Sequence, residues 1–219
     1  VGSLSGGEVT DERVNSLLNF LNDNPDIEFV VVAGWWHRYA TGESYRDQFS
    51  VWSDPECAFS SVQLCNAESL ERGLTRFAEN LNDRTIVFLD DVPVGWELHP
   101  KSHFRAAFRG KADRAPVIPI EVAEPQFLAY SSILQTLAEE LPNVHFRPVI
   151  FDRLCSGNCS AIDAEGKLIF ADGDHLSAHG AALLVDDLKP ILSSFMVAPA
   201  LESQMIQNYV PIRGSLPSS

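Results

Sequence analysis

Asp172 and His175, within Ala171-Asp172-Gly173-Asp174-His175-Leu176-Ser177, have the residue types and the spacing of a general base held by its orienting carboxylate. In such a pair the imidazole takes the proton of a nucleophilic hydroxyl. The carboxylate fixes the imidazole tautomer and stabilises the imidazolium that forms. The pair therefore implies a third member, the hydroxyl. Asp174, directly before the histidine, is expected to be badly placed for the carboxylate role. Asp-x-x-His alone is a common surface spacing, and its setting makes it specific. A short apolar strand, Leu168-Ile169-Phe170, runs into a tight Asp-Gly loop, and Ser177 is placed to cap an amphipathic helix.

The elements that must position this loop are legible upstream. Val14, Leu17, Leu18 and Leu21 recur at helical spacing and predict a helix from Thr10 or Asp11 to about Asn22–Asn24. Ile27 to Ala33 reads as a strand buried on both faces of a parallel sheet. A helix follows over Glu68–Leu81, a buried strand over Thr85–Leu89, a helix over Glu124–Leu141 and a strand over Val144–Phe151. The last helix has Ala181, Leu184, Val185, Leu188, Leu192 and Phe195 on its inner face, with Pro190 as its kink. Strands alternating with helices predict an α/β fold, a three-layer α/β/α sandwich around a parallel sheet. Residues 1–196 read as one domain and 197–219 as a loop-like C-terminal tail.

The formal net charge of -14 excludes a nucleic-acid partner, which requires a basic face, and a module held by anionic lipid. One basic island interrupts the acidity, with His99, His103, Arg105, Arg109 and Lys111 between Gly95 and Lys111; it reads as a solvated lid loop or as a site facing an anionic glycan. No apolar run approaches the roughly 20 residues of a membrane helix, and no secretory leader is read, so export is expected to depend on sequence outside the chain. Cys57, Cys65, Cys155 and Cys159 form two closely spaced pairs, which read as two local disulfides of an exported protein or as a zinc site. The Cys57 to Cys65 interval is too wide for usual zinc ligand pairs, which favours disulfides; three connectivities are formally open. Neither a cofactor nor a metal is expected.

Asp172-x-x-His175-Leu176-Ser177-x-x-Gly180-Ala181 resembles the last block of the SGNH (GDSL-like) hydrolases. Leu154-Cys155-x-x-x-Cys159, the Gly-Lys-Leu-Ile-Phe strand and Asp-x-x-His-Leu-Ser together resemble the periplasmic SGNH domain fused to membrane acyltransferase family 3 proteins. That resemblance implies O-acyl transfer, of acetyl groups above all, to envelope glycan hydroxyls such as lipopolysaccharide sugars. It implies His175 and Asp172 as catalytic residues, a membrane-embedded acyltransferase domain of the same polypeptide as partner, a glycan acceptor, and a place on the periplasmic face of the bacterial inner membrane. The family's serine follows its first strand in a Gly-Asp-Ser-His type block. No such block occurs here, so the domain is expected to be N-terminally incomplete, with its nucleophile outside the chain. The family's Arg-Trp-x-x-Tyr loop is matched by Trp35-Trp36-x-x-Tyr39 at Trp36 and Tyr39 but not at the arginine. Trp35, Trp36 and Tyr39 are candidates for a sugar-stacking platform or for covers of the sheet edge; His37 and Arg38 read as solvated. The Gly-x-Asn-Asp asparagine of simpler members is absent, which leaves the oxyanion donors unassigned. The competing reading is a non-catalytic glycan-binding or docking domain that kept the fold without the nucleophile; water as acceptor gives a carbohydrate acetylesterase.

Sequence proximity and the exported setting predict the pairs Cys57–Cys65 and Cys155–Cys159. Mass mapping of unreduced peptides is expected to recover both, and free thiols or stoichiometric zinc would remove the periplasmic assignment.

Overall fold

The computed structural model describes residues 7–42, 62–110 and 116–195. The lead-in before Gly7, Cys57, Lys111 and the expected tail over 197–219 lie outside the described residues. The described strands are β1 (Phe29–Val32), β2 (Thr85–Leu89), β3 (Val117–Pro119), β4 (Val144–Arg147) and β5 (Asn158–Ser160). The helices are α1 (Gly7–Asp23), α2 (Trp36–Thr41), α3 (Val62–Glu79), α4 (Pro100–Phe108), α5 (Ile120–Glu140), α6 (Val149–Leu154) and α7 (Ala178–Leu183), and 185–195 is helical beyond a turn at 184. β1, β2 and β4 form a parallel sheet in the order β1-β2-β4, with Val30 opposite Ile86 and Phe88 opposite Phe146. β3 and β5 pair antiparallel in a separate ribbon.

Side chains alternate across the sheet because successive residues of a strand point to opposite faces. Ile86, Phe88, Val144 and Phe146 face Leu70, Leu74 and Phe77 of α3, Leu134 and Leu137 of α5, and Leu21 of α1. Val87 and Leu89 face the other way, against Ile150 and Phe151 of α6, and Leu184; Phe29, Leu188 and Phe195 pack at the rim of this second core. Phe195 stacks on Phe29 at 5.8 Å and meets the His145 ring at 4.5 Å, so the last helix lies across the sheet. Each such large apolar side chain contributes about 1.5–3 kcal/mol on burial. The expected three-layer α/β/α arrangement is present.

Several boundaries and faces differ from expectation. β1 is shorter than the apolar run, and Val31 is 41% exposed, because β1 is the outer strand of the described sheet. α1 begins earlier, at Gly7, and leaves Leu17 exposed; only Leu21 is fully buried among its expected inner positions. The C-terminal helix breaks at residue 184 rather than at Pro190, and the break rotates Val185 out to solvent. The basic island is no loop: His99 caps α4 by accepting the Lys101 N–H at 3.1 Å, and the helix contains no buried residue. Among the described residues no helix is long and apolar enough to cross a membrane.

The approach to Asp172 is built from short, strongly constrained contacts. Cys155 and Cys159 are disulfide-bonded and buried in the second core, so the chain leaving α6 is locked onto β5. Cys65 is disulfide-bonded as well. The expected strand over Leu168–Phe170 makes isolated antiparallel bridges, Ile162 with Leu168 and Phe170 with Leu176, rather than joining the parallel sheet. Ser177 caps α7 as its sequence position predicts: its Oγ accepts from Gly180 N at 3.0 Å and donates to Leu168 O at 2.6 Å. A Cβ at Gly180 would stand 2.0 Å from Ile169 O, so α7 seats on this segment only because residue 180 lacks a side chain. Gly180→Ala is expected to destabilise the domain by about 1–3 kcal/mol and to broaden the signals of the Asp172–His175 loop; a urea melt and a heteronuclear correlation spectrum check both.

Candidate active site

Phe170 is fully buried and pairs with Leu176 across the loop between them, and Ala171 N donates to His175 O at 2.8 Å, so residues 171–175 close into a tight turn. The turn is made by Asp172. Its Oδ1 accepts the main-chain N–H groups of Asp174 at 3.1 Å and of His175 at 2.9 Å, the local carboxylate-to-backbone bonding that Asp favours in turns. The same carboxylate meets His175 Nδ1 at 2.9 Å through Oδ1 and at 3.1 Å through Oδ2. With Nδ1–H donating to the carboxylate, Nε2 is the ring atom left to accept a proton. His175 is 66% exposed at its side chain and Asp172 27%.

The electrostatics match this arrangement. The hydrogen bond that His175 donates to Asp172 raises the His175 pKa above its ordinary value, against a smaller opposing effect of burial. For Asp172, burial pushes the pKa up, but the Asp174 N–H and the bonds to Asp174 and His175 outweigh it and hold the carboxyl at about 2. Asp174 departs from expectation. Its Oδ1 lies 3.1 Å from His175 Nδ1 and its side chain is 3% exposed, so a second carboxylate stands near the nitrogen that bonds to Asp172. The turn folds the adjacent residue back toward Nδ1, which sequence separation alone did not convey. Asp172, Asp174 and His175 offer ligand atoms within 4.8 Å of one another, a spacing that suits a cation, though the same atoms make the Asp–His contacts.

The aromatic candidates divide. Trp35 lies beside the imidazole, ring centroids 6.1 Å apart, with the Arg38 guanidinium 4.9 Å over its own ring. Trp36 is 3% exposed, packs edge-on against Phe88 and Tyr39, and donates Nε1–H to Leu89 O at 2.7 Å. The expectation of Trp36 as part of a sugar platform is therefore corrected: α2 starts at Trp36 and turns its ring into the core. Tyr39 packs partly buried against that core. His37, expected to be solvated, is buried.

Two acidic residues directly after β2, Asp90 and Asp91, organise the junction of β2 with α6 and α2. Asp90, 1% exposed, accepts from Ile150 N at 2.9 Å and Phe151 N at 2.6 Å. Asp91 accepts from Val92 N at 2.8 Å and His37 N at 3.4 Å, and its own N–H donates to Tyr130 Oη at 3.0 Å. Burial pushes both carboxyls up to about 7, opposed by these backbone bonds. Two adjacent acids at the carboxyl end of a buried strand were the available signal. Asp163, which turns the 163–167 loop, meets His179 Nε2 at 2.5 Å and ties α7 to it. The 95–98 turn reaches the loop directly, Gly95 N donating to Gly173 O at 3.0 Å. Among the described residues no serine or threonine hydroxyl bonds to His175, and Ser177 is committed to its cap.

A proton titration followed by NMR is expected to give His175 a midpoint above 6.5, falling toward 6.5 in Asp172→Asn. Because the folded pKa is the raised one, the pair's contribution to stability is full below about 6.5 and is lost as pH rises through the His175 midpoint. Asp172 acts in the opposite sense: its contribution is present above about 3.9 and is lost as pH falls toward 2.

No curated protein matches the chain. A solved structure of the lipopolysaccharide acetyltransferase periplasmic domain of Salmonella ser. Paratyphi A is similar at 15% identity and a TM-score of 0.49, over 87% of this chain and 65% of that one. The chain thus spans about two thirds of that relative's length. A family model described as the SGNH domain fused to AT3 domains matches residues 7–190. The turn carrying Asp172 and His175, the Ser177 cap and the disulfide before them all fall within that match, and the chain belongs to the SGNH domains fused to AT3 domains.

Proposed function

We propose that this chain carries the acid–base half of an O-acyl transfer site. The observation that carries the reading is the His175–Asp172 pair, in which main-chain N–H groups fix the carboxylate and the exposed imidazole keeps Nε2 for a substrate proton. A serine outside these 219 residues supplies the nucleophile. Its Oγ attacks the acyl carbonyl while His175 Nε2 takes its proton, and Asp172 stabilises the imidazolium. The imidazolium then protonates the leaving group, and the acyl group remains on the serine as an ester. A sugar hydroxyl, deprotonated by the same nitrogen, attacks that ester; the bond from the acyl carbon to Ser Oγ breaks, the imidazolium returns its proton to Oγ, and the sugar leaves acylated. Water in place of the sugar gives ester hydrolysis by the same steps.

The family match supports the setting: a domain of this kind is fused to AT3 domains, so the acyl donor is proposed to come from that membrane partner. The acceptor is proposed to be an envelope glycan on the periplasmic side, with acetyl as the acyl group. Trp35 stands where it would cover one side of His175 and of a bound sugar.

The test uses acetyl ester hydrolysis. This chain alone is expected to be nearly inert toward p-nitrophenyl acetate, because triad members act as a unit. A longer chain that includes a Gly-Asp-Ser block upstream is expected to hydrolyse it, with His175→Ala or Asp172→Asn lowering kcat by about 10³-fold or more. Good hydrolysis by the present chain, unchanged in His175→Ala, overturns the mechanism. A longer chain that binds glycan but never cleaves the ester favours the docking-domain reading instead.

A further inference from the structure

α4 contains no buried residue, and it is basic in a strongly acidic chain. From His99 to Gly110 there are three Lys or Arg residues, Lys101, Arg105 and Arg109, and no Asp or Glu. Arg105 and Arg109 stand one helical turn apart on one face. Among the described residues neither guanidinium is paired with a carboxylate. Between this face and the 96–98 turn lies an open cleft of about 390 Å³, lined by Trp96, Glu97, Ser102, Arg105 and Arg109. The volume falls in the range of small-ligand sites, about 300–1,000 Å³. Trp96 is 44% exposed, and the Arg105 guanidinium lies 5.9 Å from its ring centroid. Ser102 Oγ donates to Trp96 O at 2.7 Å and holds the turn against the helix.

The turn that carries Trp96 is tied to the Asp–His loop by one main-chain bond. Gly95, the residue before Trp96, donates its N–H to Gly173 O, between Asp172 and His175. A molecule seated on Trp96 is thus anchored to the element that touches the Asp–His turn. The groups offered are an aromatic wall for the apolar face of a sugar ring and two planar donor forks for an anionic oxygen group. Glu97 on the rim repels an anion placed on its side and directs the charge toward the two arginines.

We propose that this cleft is the acceptor subsite for an anionic sugar, its carboxylate or phosphate held by Arg105 and Arg109 and its ring against Trp96. The proposal rests on the acyl-transfer reading for the identity of the ligand as acceptor, but the binding itself requires no nucleophile.

The test titrates the full chain with trigalacturonate, glucose 6-phosphate, inorganic phosphate and maltotriose, read by calorimetry and tryptophan fluorescence. At least one of the two anionic sugars is expected to bind tenfold or more tighter than maltotriose and than inorganic phosphate; the tighter of the two identifies the anion as carboxylate or phosphate. Arg105→Gln with Arg109→Gln is expected to raise its Kd about tenfold or more. Trp96→Ala is expected to weaken it and to remove the fluorescence change, while Lys101→Gln, outside the cleft lining, shifts Kd by less than about twofold. Circular dichroism melts of these surface variants confirm that they fold. Equal binding of charged and neutral sugars, no binding of either anionic sugar, or an unchanged Kd in the double variant overturns the subsite. Phe104 and Phe108 are also exposed on α4, so phosphatidylglycerol vesicles form a further arm. Vesicle binding lost in the double variant, with no sugar binding, overturns the subsite in favour of a membrane-facing helix. Sugar binding without ester hydrolysis by the longer chain keeps the subsite and removes acyl transfer; hydrolysis without sugar binding does the reverse.

Discussion

Burial of two adjacent carboxylates at the end of the central strand is the constraint on which the site depends. A carboxylate removed from water without hydrogen bonds is costly enough to unfold its surroundings or to stay protonated. Asp90 avoids this by taking the first N–H groups of α6, and Asp91 by taking those of Val92 and His37. The bonds that make burial tolerable fix three elements at once: β2, the start of α6, and α2, which places Trp35 beside His175. Their raised pKa of about 7 means that this junction holds its protons more tightly folded than unfolded. Its contribution is greatest at acid pH and falls as pH climbs from about 4 toward 7.

The loop above it works by local bonding instead. Asp172 shapes the loop through local bonds: one of its oxygens takes two N–H groups within three residues, and the carboxylate faces the imidazole. Distant contacts set only where the turn points. Gly180 lets α7 close onto Ile169, Ser177 ties the helix start to Leu168, and the Asp163–His179 contact keeps the helix from rolling. The imidazole is thereby held against Asp172 with most of its side chain exposed.

This division explains what the sequence revealed. Asp172 and His175 were legible because a turn of this kind is written in consecutive residues, and the capping role of Ser177 for the same reason. Layer order was legible from apolar runs and their spacing. Which way a side chain points at an element boundary was not: Trp35 and Trp36 are equivalent as letters, and only the starting phase of α2 puts one beside the imidazole and the other under the sheet. Asp174 was misjudged because sequence adjacency said nothing about the fold-back of the turn. Asp90 and Asp91 escaped because acids after a strand usually mark an exposed turn; their partners are main-chain groups about 60 residues away in sequence for Asp90 and side-chain or main-chain groups on α2 and α5 for Asp91.

β1 carries a consequence of another kind. As the outer strand of the described sheet, with Val31 uncovered, it is a template on which a further extended segment can be laid. Main-chain pairing does not discriminate by sequence, so the choice of segment falls to the apolar surface around Phe29 and Val31. The strand that fits must be flat and apolar on that side, and any chain with such a strand competes for the place. Concentrated solutions of this domain should accordingly be prone to edge-to-edge aggregation, and a short apolar peptide bound along β1 should suppress it.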